Sequence, residues 1–235
     1  MMKRVCFLLI LEKKAQYSSF KLVQEQVASE AVPPELLKEL YRRQLIYRGG
    51  LREVCTCLEF IDDQFHAEYD HNPIHHMECR MKSMDSILEK ARRRGCEMTA
   101  DSICGTVRDI AGVRVICNYI DDVYRLAELL MKQECYTVVK VRDYIRQPKE
   151  NGYRSLHLVI AVPVYFLDGC EEVFVEVQLR TVAMDFWASL EHQLRYKQNK
   201  DISSRIDIEL KACAEVSATL DRRMQKIFDD LNKMD

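Results

Sequence analysis

Val173 to Arg180 reads VFVEVQLR, and Thr181 to Leu194 follows at once as TVAMDFWASLEHQL. Side chains alternate along an extended strand, so Val173, Val175, Val177 and Leu179 share one face and Phe174, Glu176, Gln178 and Arg180 the other. A central strand that carries a carboxylate, an amide and a guanidinium in register must compensate each buried polar group, and an active site is the usual reason to tolerate them. An edge strand whose second face is solvated explains the same alternation. Taken alone, the stretch supports both readings.

With 235 residues, 48% of them hydrophobic and 31% charged, the chain is long enough for one good-sized core, or for one domain with helical extensions. Its 35 basic and 37 acidic residues leave a net charge of -2. No global field therefore favours DNA or a membrane surface, and any anion site must be a local cluster. The ten cysteines show no CxxC pairing and read as free thiols of a cytoplasmic protein. The apolar run Val5 to Leu11 follows Lys3 and Arg4, but it stops at Glu12 with no small-residue cleavage site nearby, so neither export nor a membrane span is expected.

Residues 1–30 have no clear pattern. Pro33 and Pro34 open a helix with the stripe Leu36, Leu37, Leu40, Tyr41, Leu45 and Ile46. Gly49 and Gly50 are candidates for an interruption, after which Leu51, Val54, Leu58, Ile61 and Phe65 continue the pattern to about Tyr69. His75, His76 and Cys79 match no compact zinc spacing and read as part of a solvated loop entering a helix. That basic helix, RMKSMDSILEKARRRG, places Met84, Ile87, Leu88 and Ala91 on its apolar face. Ser86, Lys90 and Arg93 lie along one ridge suited to a polyphosphate.

Strand and helix then alternate: a strand over Val113–Tyr119, a helix over Asp122–Lys132 capped by Asp121, and a strand over Tyr136–Val141. The loop that follows, with the end of that strand, holds Lys140, Arg142, Arg146, Lys149 and Arg154 close to Tyr153 and His157. Cations at this density beside an aromatic ring suit a nucleotide, charge to phosphate and ring to base. Leu167-Asp168-Gly169 turns a hairpin, Thr181 to about Tyr196 forms a helix with Ala183, Phe186, Trp187 and Leu190 as core contacts, and Ile202–Lys233 forms a long amphipathic helix. The class is α/β (α+β), a mixed β-sheet flanked by helices. Its divisions are an N-terminal helical extension (1–78), a catalytic domain (79–200) and a C-terminal helix for packing or oligomerisation (201–235).

SILEKARRRG, DIAGVRVICNY, VRDYIRQPKENGYRSLH and VFVEVQLRTVAMDFWASLEHQLRYK closely resemble the synthetase domain of the RelA/SpoT-type alarmone synthetases, in particular their small single-domain members. The resemblance covers roughly Arg80 to Lys197. It implies a nucleotidyltransferase-like fold and a magnesium-dependent transfer of pyrophosphate from ATP to the ribose 3′-hydroxyl of GDP or GTP, giving ppGpp or pppGpp plus AMP. Asp109 and Glu176 match the magnesium-site carboxylates, and Glu176 also the group that activates the 3′-hydroxyl. Arg80 and Arg114 match the arginines that sandwich adenine, and Lys82, Ser86, Lys90 and Arg93 the ATP-phosphate contacts. Tyr153 matches the tyrosine under guanine, Arg142, Lys149 and His157 the ligands of the acceptor phosphates. Gln178 supports the acceptor ribose or Glu176, and Asp185 meets the guanine edge.

The family further implies a homotetramer regulated by alarmone or single-stranded RNA. The chain lacks the His-Asp pair of the bifunctional relatives, so alarmone hydrolysis is not expected. Where those relatives carry Arg-x-Lys-Asp, this chain has Lys140-Val141-Arg142-Asp143, which leaves the choice between GDP and GTP open. A nucleotidyl-transferring enzyme and a catalytically silent nucleotide- or RNA-binding regulator are the competing classes. The presence of both Asp109 and Glu176 argues against the second.

Overall fold

The computed structural model describes residues 32–197 and 204–234. The run Val5–Leu11 and the segment 198–203 lie outside them. The chain starts with a long helix, α1 (Pro34–Glu68), and the edge strand β1 (Ile74–Met81). Two short helices, α2 (Met84–Arg93) and α3 (Ala100–Thr106), lead into β2 (Ala111–Cys117). Then come α4 (Ile120–Met131), β3 (Thr137–Asp143), β4 (Leu156–Phe166) and β5 (Gly169–Thr181). Helices α5 (Val182–Lys197) and α6 (Ser204–Leu231) follow.

The sheet order is β1-β2-β5-β4-β3, with β2 and β5 parallel and every other pair antiparallel. The quoted strand is thus central. Val173, Val175, Val177 and Leu179 are at most 2% exposed, in one core with residues of α1, α2 and α4. The opposite face of β5 is half-buried at Phe174, Glu176 and Gln178 and buried at Arg180, so it is no solvated edge. The expected hairpin is present, with Phe166 paired to Gly169 around Leu167 and Asp168.

Several expectations are corrected. Helix α1 runs unbroken through Gly49 and Gly50. A Cβ on Gly49 would sit 2.7 Å from Cγ1 of Val164, and one on Gly50 would collide with Cγ2 of buried Val173. The glycines let the helix lie against the β4–β5 hairpin, at a cost of about 1 kcal/mol each in helix propensity. Residues 75–81 are a strand, not a loop entering a helix. His76, Glu78 and Arg80 pair with Ile116, Arg114 and Gly112 on one face, while Met77, Cys79 and Met81 pair with Val115, Val113 and Ala111 on the other. Arg80 and Lys82 therefore precede the basic helix, which starts at Met84 with Ser83 as its cap.

The carboxylate that caps α4 is Asp122, which accepts from the Tyr119 amide at 3.0 Å, in place of Asp121. The sulfurs of Cys55 on α1 and Cys79 on β1 lie against each other, with Cα atoms 7.4 Å apart, wider than a disulfide spans; Cys57, Cys96, Cys104, Cys117, Cys135, Cys170 and Cys213 are free.

The last two helices dock differently from their apolar patterns. Met184, Trp187 and Ala188 are buried on α5, whereas Phe186 is 65% and Leu190 44% exposed. On α6 the docked positions are Ala214, Ala218 and Asp221, and Val216, Leu220, Met224, Ile227 and Leu231 face outward. Thr181 donates to Asp221 at 2.6 Å and the Trp187 indole to the Leu210 carbonyl at 2.8 Å.

Two alanine substitutions separate packing from propensity. Gly50→Ala gains helix propensity but overpacks Val173, for a net loss of about 1–2 kcal/mol. Gly105→Ala in α3 meets open space and gains up to about 1 kcal/mol. Thermal or urea unfolding of the two variants checks the opposite signs.

Candidate active site

Directly paired residues share a sheet face, and the register lays two polar rows across the open face. One runs Glu78, Arg114, Gln178, His157, Arg142 through β1, β2, β5, β4 and β3; the other runs Arg80, Gly112, Glu176, Val159, Lys140. Gly112 leaves the second row open beside Glu176, since a Cβ there would stand 3.3 Å from the Glu176 carbonyl oxygen.

Asp109, in the turn before β2, faces this sheet from its end. Its Oδ2 accepts from Lys90 Nζ at 2.6 Å and pairs with Lys82 Nζ at 3.0 Å. Its Oδ1 is buried with no partner. Burial opposes the charge of Asp109, but the Lys90 and Lys82 ammoniums outweigh it and hold the carboxyl below its ordinary range. Burial likewise opposes ionisation of Glu176, and His157 and Gln178 overcome it despite repulsion from Asp109. Gln178 Nε2 donates to Glu176 Oε2 at 2.8 Å, and His157 Nδ1 lies 3.4 Å from Oε1. Both carboxylates are thus ionised at neutral pH, one half-satisfied and the other fixed by two neighbours.

Two cavities meet at these carboxylates. The larger, about 540 Å³, is lined on one side by Lys90, Arg94 and Arg108 and on the other by Lys140, Arg142 and His157. The smaller, about 130 Å³, lies over Glu78, Arg80, Lys82, Arg114 and Gln178. Asp109 and Glu176 line both. Arg114 Nη1 donates to Glu78 at 2.9 Å, and Asp185 lies 3.7 Å away.

The loop between β3 and β4 forms a third part. The Tyr153 hydroxyl lies 2.8 Å from His157 Nε2 and accepts from Arg180 Nη2 at 2.7 Å. Lys149 Nζ sits 4.7 Å from the centroids of both the Tyr144 and Tyr153 rings, a cation–π distance. Behind the loop, Tyr153 packs on Trp187, Ala188 and Ala214. Gly152, at φ 91°, leaves no room for a side chain: a Cβ would be 2.6 Å from that of Ala214. Arg154 ties the same loop to α6 through the Ala214 carbonyl and Glu215.

Of the residues singled out in the sequence, Arg80, Lys82, Lys90, Asp109, Arg114, Arg142, His157, Glu176 and Gln178 line one or both cavities. Tyr153, Lys149 and Asp185 stand beside them. Ser86 is engaged in the α2 cap, its Oγ accepting from Ser83 at 2.9 Å, and Arg93 is exposed at the end of α2. Arg94 and Lys140 belong to the cationic clusters of the sequence without an individual role, whereas Arg108 and Arg180 carry no assignment from it. Arg108, stacked 4.7 Å from the Phe174 ring, had no local signal.

Fold and site together define an α/β protein with cation-lined cavities that meet at a pair of carboxylates. The family described as the region found in RelA/SpoT proteins matches residues 79–201. GTP pyrophosphokinase YwaC of Bacillus subtilis is 45% identical over 188 residues, 80% of this chain and 90% of the relative. GTP pyrophosphokinase YjbM of the same organism is 39% identical over 196 residues, 83% and 92% of the two chains. The crystal structure of B. subtilis small alarmone synthetase 1 bound to its product pppGpp superposes with a TM-score of 0.76 at 39% identity, covering 82% of this chain and 98% of that one. The chain belongs to the RelA/SpoT-type family of small alarmone synthetases and GTP pyrophosphokinases. Among the described residues, no helix is long and apolar enough to cross a membrane.

The loop–α6 contact yields a direct test. Gly152→Ala imposes both a strained φ and a collision with Ala214, for a loss of about 1–3 kcal/mol. Trp187, the chain's one tryptophan, belongs to the same cluster, so a red-shifted emission and an earlier unfolding transition are the expected readouts.

Proposed function

We propose that the chain transfers the β,γ-pyrophosphate of ATP to the ribose 3′-hydroxyl of GDP or GTP, giving ppGpp or pppGpp and AMP. The observation that carries this reading is the pair of cavities meeting at Asp109 and Glu176, each lined by its own cations. Two nucleotides with their reacting ends at one carboxylate pair fit that arrangement. Related synthetase structures carry pppGpp or AMPCPP, which supports the same assignment of substrates.

On this reading Arg80 and Arg114 stack on adenine, as planar cations do on purines. Lys82, Ser86, Lys90 and Arg93 take the ATP phosphates, with Arg94 beside them. Tyr153 lies under guanine, and Arg142, Lys149 and His157 take the acceptor phosphates, with Gln178 and Asp185 supporting the ribose and the base. Every one of these residues falls within the proposed catalytic stretch 79–200, while α1 backs the sheet and α6 docks on α5 and on the loop between β3 and β4.

Magnesium fits the residues present. Asp109 keeps a buried oxygen without a partner, Glu176 faces the same space, and hard carboxylate oxygens are the donors this cation takes. Among the described residues no group of three or more His, Cys, Asp or Glu side chains gathers as a metal cluster, in keeping with a cation held by one or two carboxylates plus substrate phosphates. When bound, magnesium supplies charge neutralisation at the transferred phosphoryl oxygens.

The chain's own contribution is positional. Glu176, with its pKa held low, is a weak base, so it serves chiefly to orient the 3′-hydroxyl and to receive its proton as the bond forms. The 3′-oxygen bonds to the β-phosphorus while the bond from that phosphorus to the α,β-bridging oxygen breaks, and AMP departs with the bond's electrons. Lys82, Lys90 and the arginines of the larger cavity absorb the developing charge. The proposed assembly is a homotetramer, a number that rests on the family; the exposed apolar side chains Phe186, Leu190 and Leu194 of α5 and Val216, Leu220, Met224 and Ile227 of α6 support self-association in general. Regulation by alarmone or single-stranded RNA belongs to the same reading and rests on the family alone.

Incubation with ATP, magnesium and GDP or GTP should release AMP and a 3′-pyrophosphorylated guanosine; pyrophosphate release would mark a nucleotidyl transfer instead. Glu176→Gln is expected to lower kcat at least 100-fold, on the order of 3 kcal/mol, with nucleotide binding largely kept, and a near-normal rate rejects its role. Tyr153→Ala removes a stacking surface worth about 1–3 kcal/mol per base. It should raise the acceptor KM roughly tenfold or more and leave the ATP KM close to that of the parent.

A further inference from the structure

Arg180 was part of the polar face of β5 in the sequence, and neither cavity includes it. It is 5% exposed, yet it joins more parts of the site than any assigned residue. Its Nη1 donates to Asp185 Oδ1 at 3.0 Å, and its Nη2 donates both to the Tyr153 hydroxyl at 2.7 Å and to Gln178 Oε1 at 2.9 Å. Its Nε is buried without a partner. A guanidinium has donors only and stays charged, so it dictates the direction of every hydrogen bond that starts from it.

Two chains start from Arg180 Nη2. In the first, Gln178 Oε1 must accept from Arg180, which turns the amide so that Nε2 donates to Glu176 Oε2 at 2.8 Å. In the second, the Tyr153 hydroxyl accepts from Arg180, which leaves its own proton to be aimed at His157 Nε2, 2.8 Å away. That leaves the other ring proton on Nδ1, which faces Glu176 Oε1 at 3.4 Å. Both chains end on the two oxygens of one carboxylate.

We propose that Arg180 is a positioning residue for the transfer: through Gln178 and through Tyr153–His157 it orders the donors that hold the Glu176 carboxylate in place, and it ties that carboxylate to the acceptor platform. The role rests on the pyrophosphokinase reading of Glu176 and deepens it. Through Tyr153 the acceptor's stacking surface and the group facing its 3′-hydroxyl are kept in one register, so a hydroxyl on that ring matters beyond its stacking area.

The test is a kinetic cycle with Arg180→Lys and Tyr153→Phe. Lysine keeps the charge but not the fork, and phenylalanine keeps the ring but not the hydroxyl. Each single variant should lower kcat roughly tenfold, with the KM for ATP within about threefold of the parent. The double variant should be no slower than Arg180→Lys alone. A Tyr153→Phe protein with the parent kcat, or two effects that simply multiply, overturns the proposal. Tyr153→Phe keeps the test usable if the lysine variant fails to fold. Independently of turnover, the ¹⁵N shifts of His157 should report the Nδ1-protonated tautomer in the parent and a mixture in Tyr153→Phe. An Nε2-protonated ring in the parent sinks the idea even where no product forms, whereas a parent with the expected tautomer and no AMP release tells against the pyrophosphokinase reading alone.

Discussion

A half-buried carboxylate on a central strand must be kept charged with little help from water. Glu176 meets that condition on β5, where burial alone would push its pKa up and the neighbouring Asp109 would push it further. The donors that reverse this are Gln178, two residues along the same strand, and His157, diagonally across on β4. Neither can be moved by one residue, because a one-residue slip turns every side chain to the other face. The register that buries Val173, Val175, Val177 and Leu179 is therefore the register that assembles the site. Packing and chemistry are two faces of one alignment.

The opposite side of the sheet shows how that alignment is held. Helix α1 crosses the hairpin at Gly49 and Gly50, close enough that any Cβ would meet Val164 or Val173. Propensity alone disfavours two adjacent glycines in mid-helix by about 2 kcal/mol. Burial of Val54 and Leu58 of α1 and of Val173 and Val175 on β5 far exceeds this, each side chain contributing about 1.5–3 kcal/mol. The helix thus stays unbroken where local preference would break it, and the hairpin that carries Glu176 is clamped from behind.

The alternation of β5, the hairpin turn at Leu167-Asp168 and the helix α4 were legible because their patterns are dictated by burial on one side only. Strand β1 was not. Its sequence, IHHMECRM, puts His76, Glu78 and Arg80 on the site face and only Met77, Cys79 and Met81 on the core face, so the apolar half of its alternation is weak. On α6 the rule that large apolar residues face inward fails: Ala214 docks where the β3–β4 loop approaches too closely for anything larger, Ala218 is buried on the same helix, and Leu220 and Ile227 are left outside. In the site, Asp109, Glu176, Lys82 and Lys90 were legible as charges of the right type in the right blocks. The fork of Arg180 was not, because its partners come from a loop, its own strand and the following helix, and no spacing in one segment encodes three segments meeting.

Net charge conceals the electrostatics that matter most. The chain as a whole is close to neutral, yet the larger cavity sets Lys90, Arg94, Arg108, Lys140 and Arg142 against only Asp109 and Glu176. Without a ligand, cations so close together repel one another, and Asp109 offsets part of that by drawing Lys82 and Lys90 onto one oxygen. On the proposed reading, a polyphosphate where the two cavities meet would compete for the same two ammoniums, Lys90 from the larger and Lys82 from the smaller. As they turned to it, Asp109 would lose the partners that keep its charge stable in a half-buried place, and its demand for another cation would rise. Phosphate binding and cation binding at Asp109 would then be coupled through two lysines, each making the other more favourable.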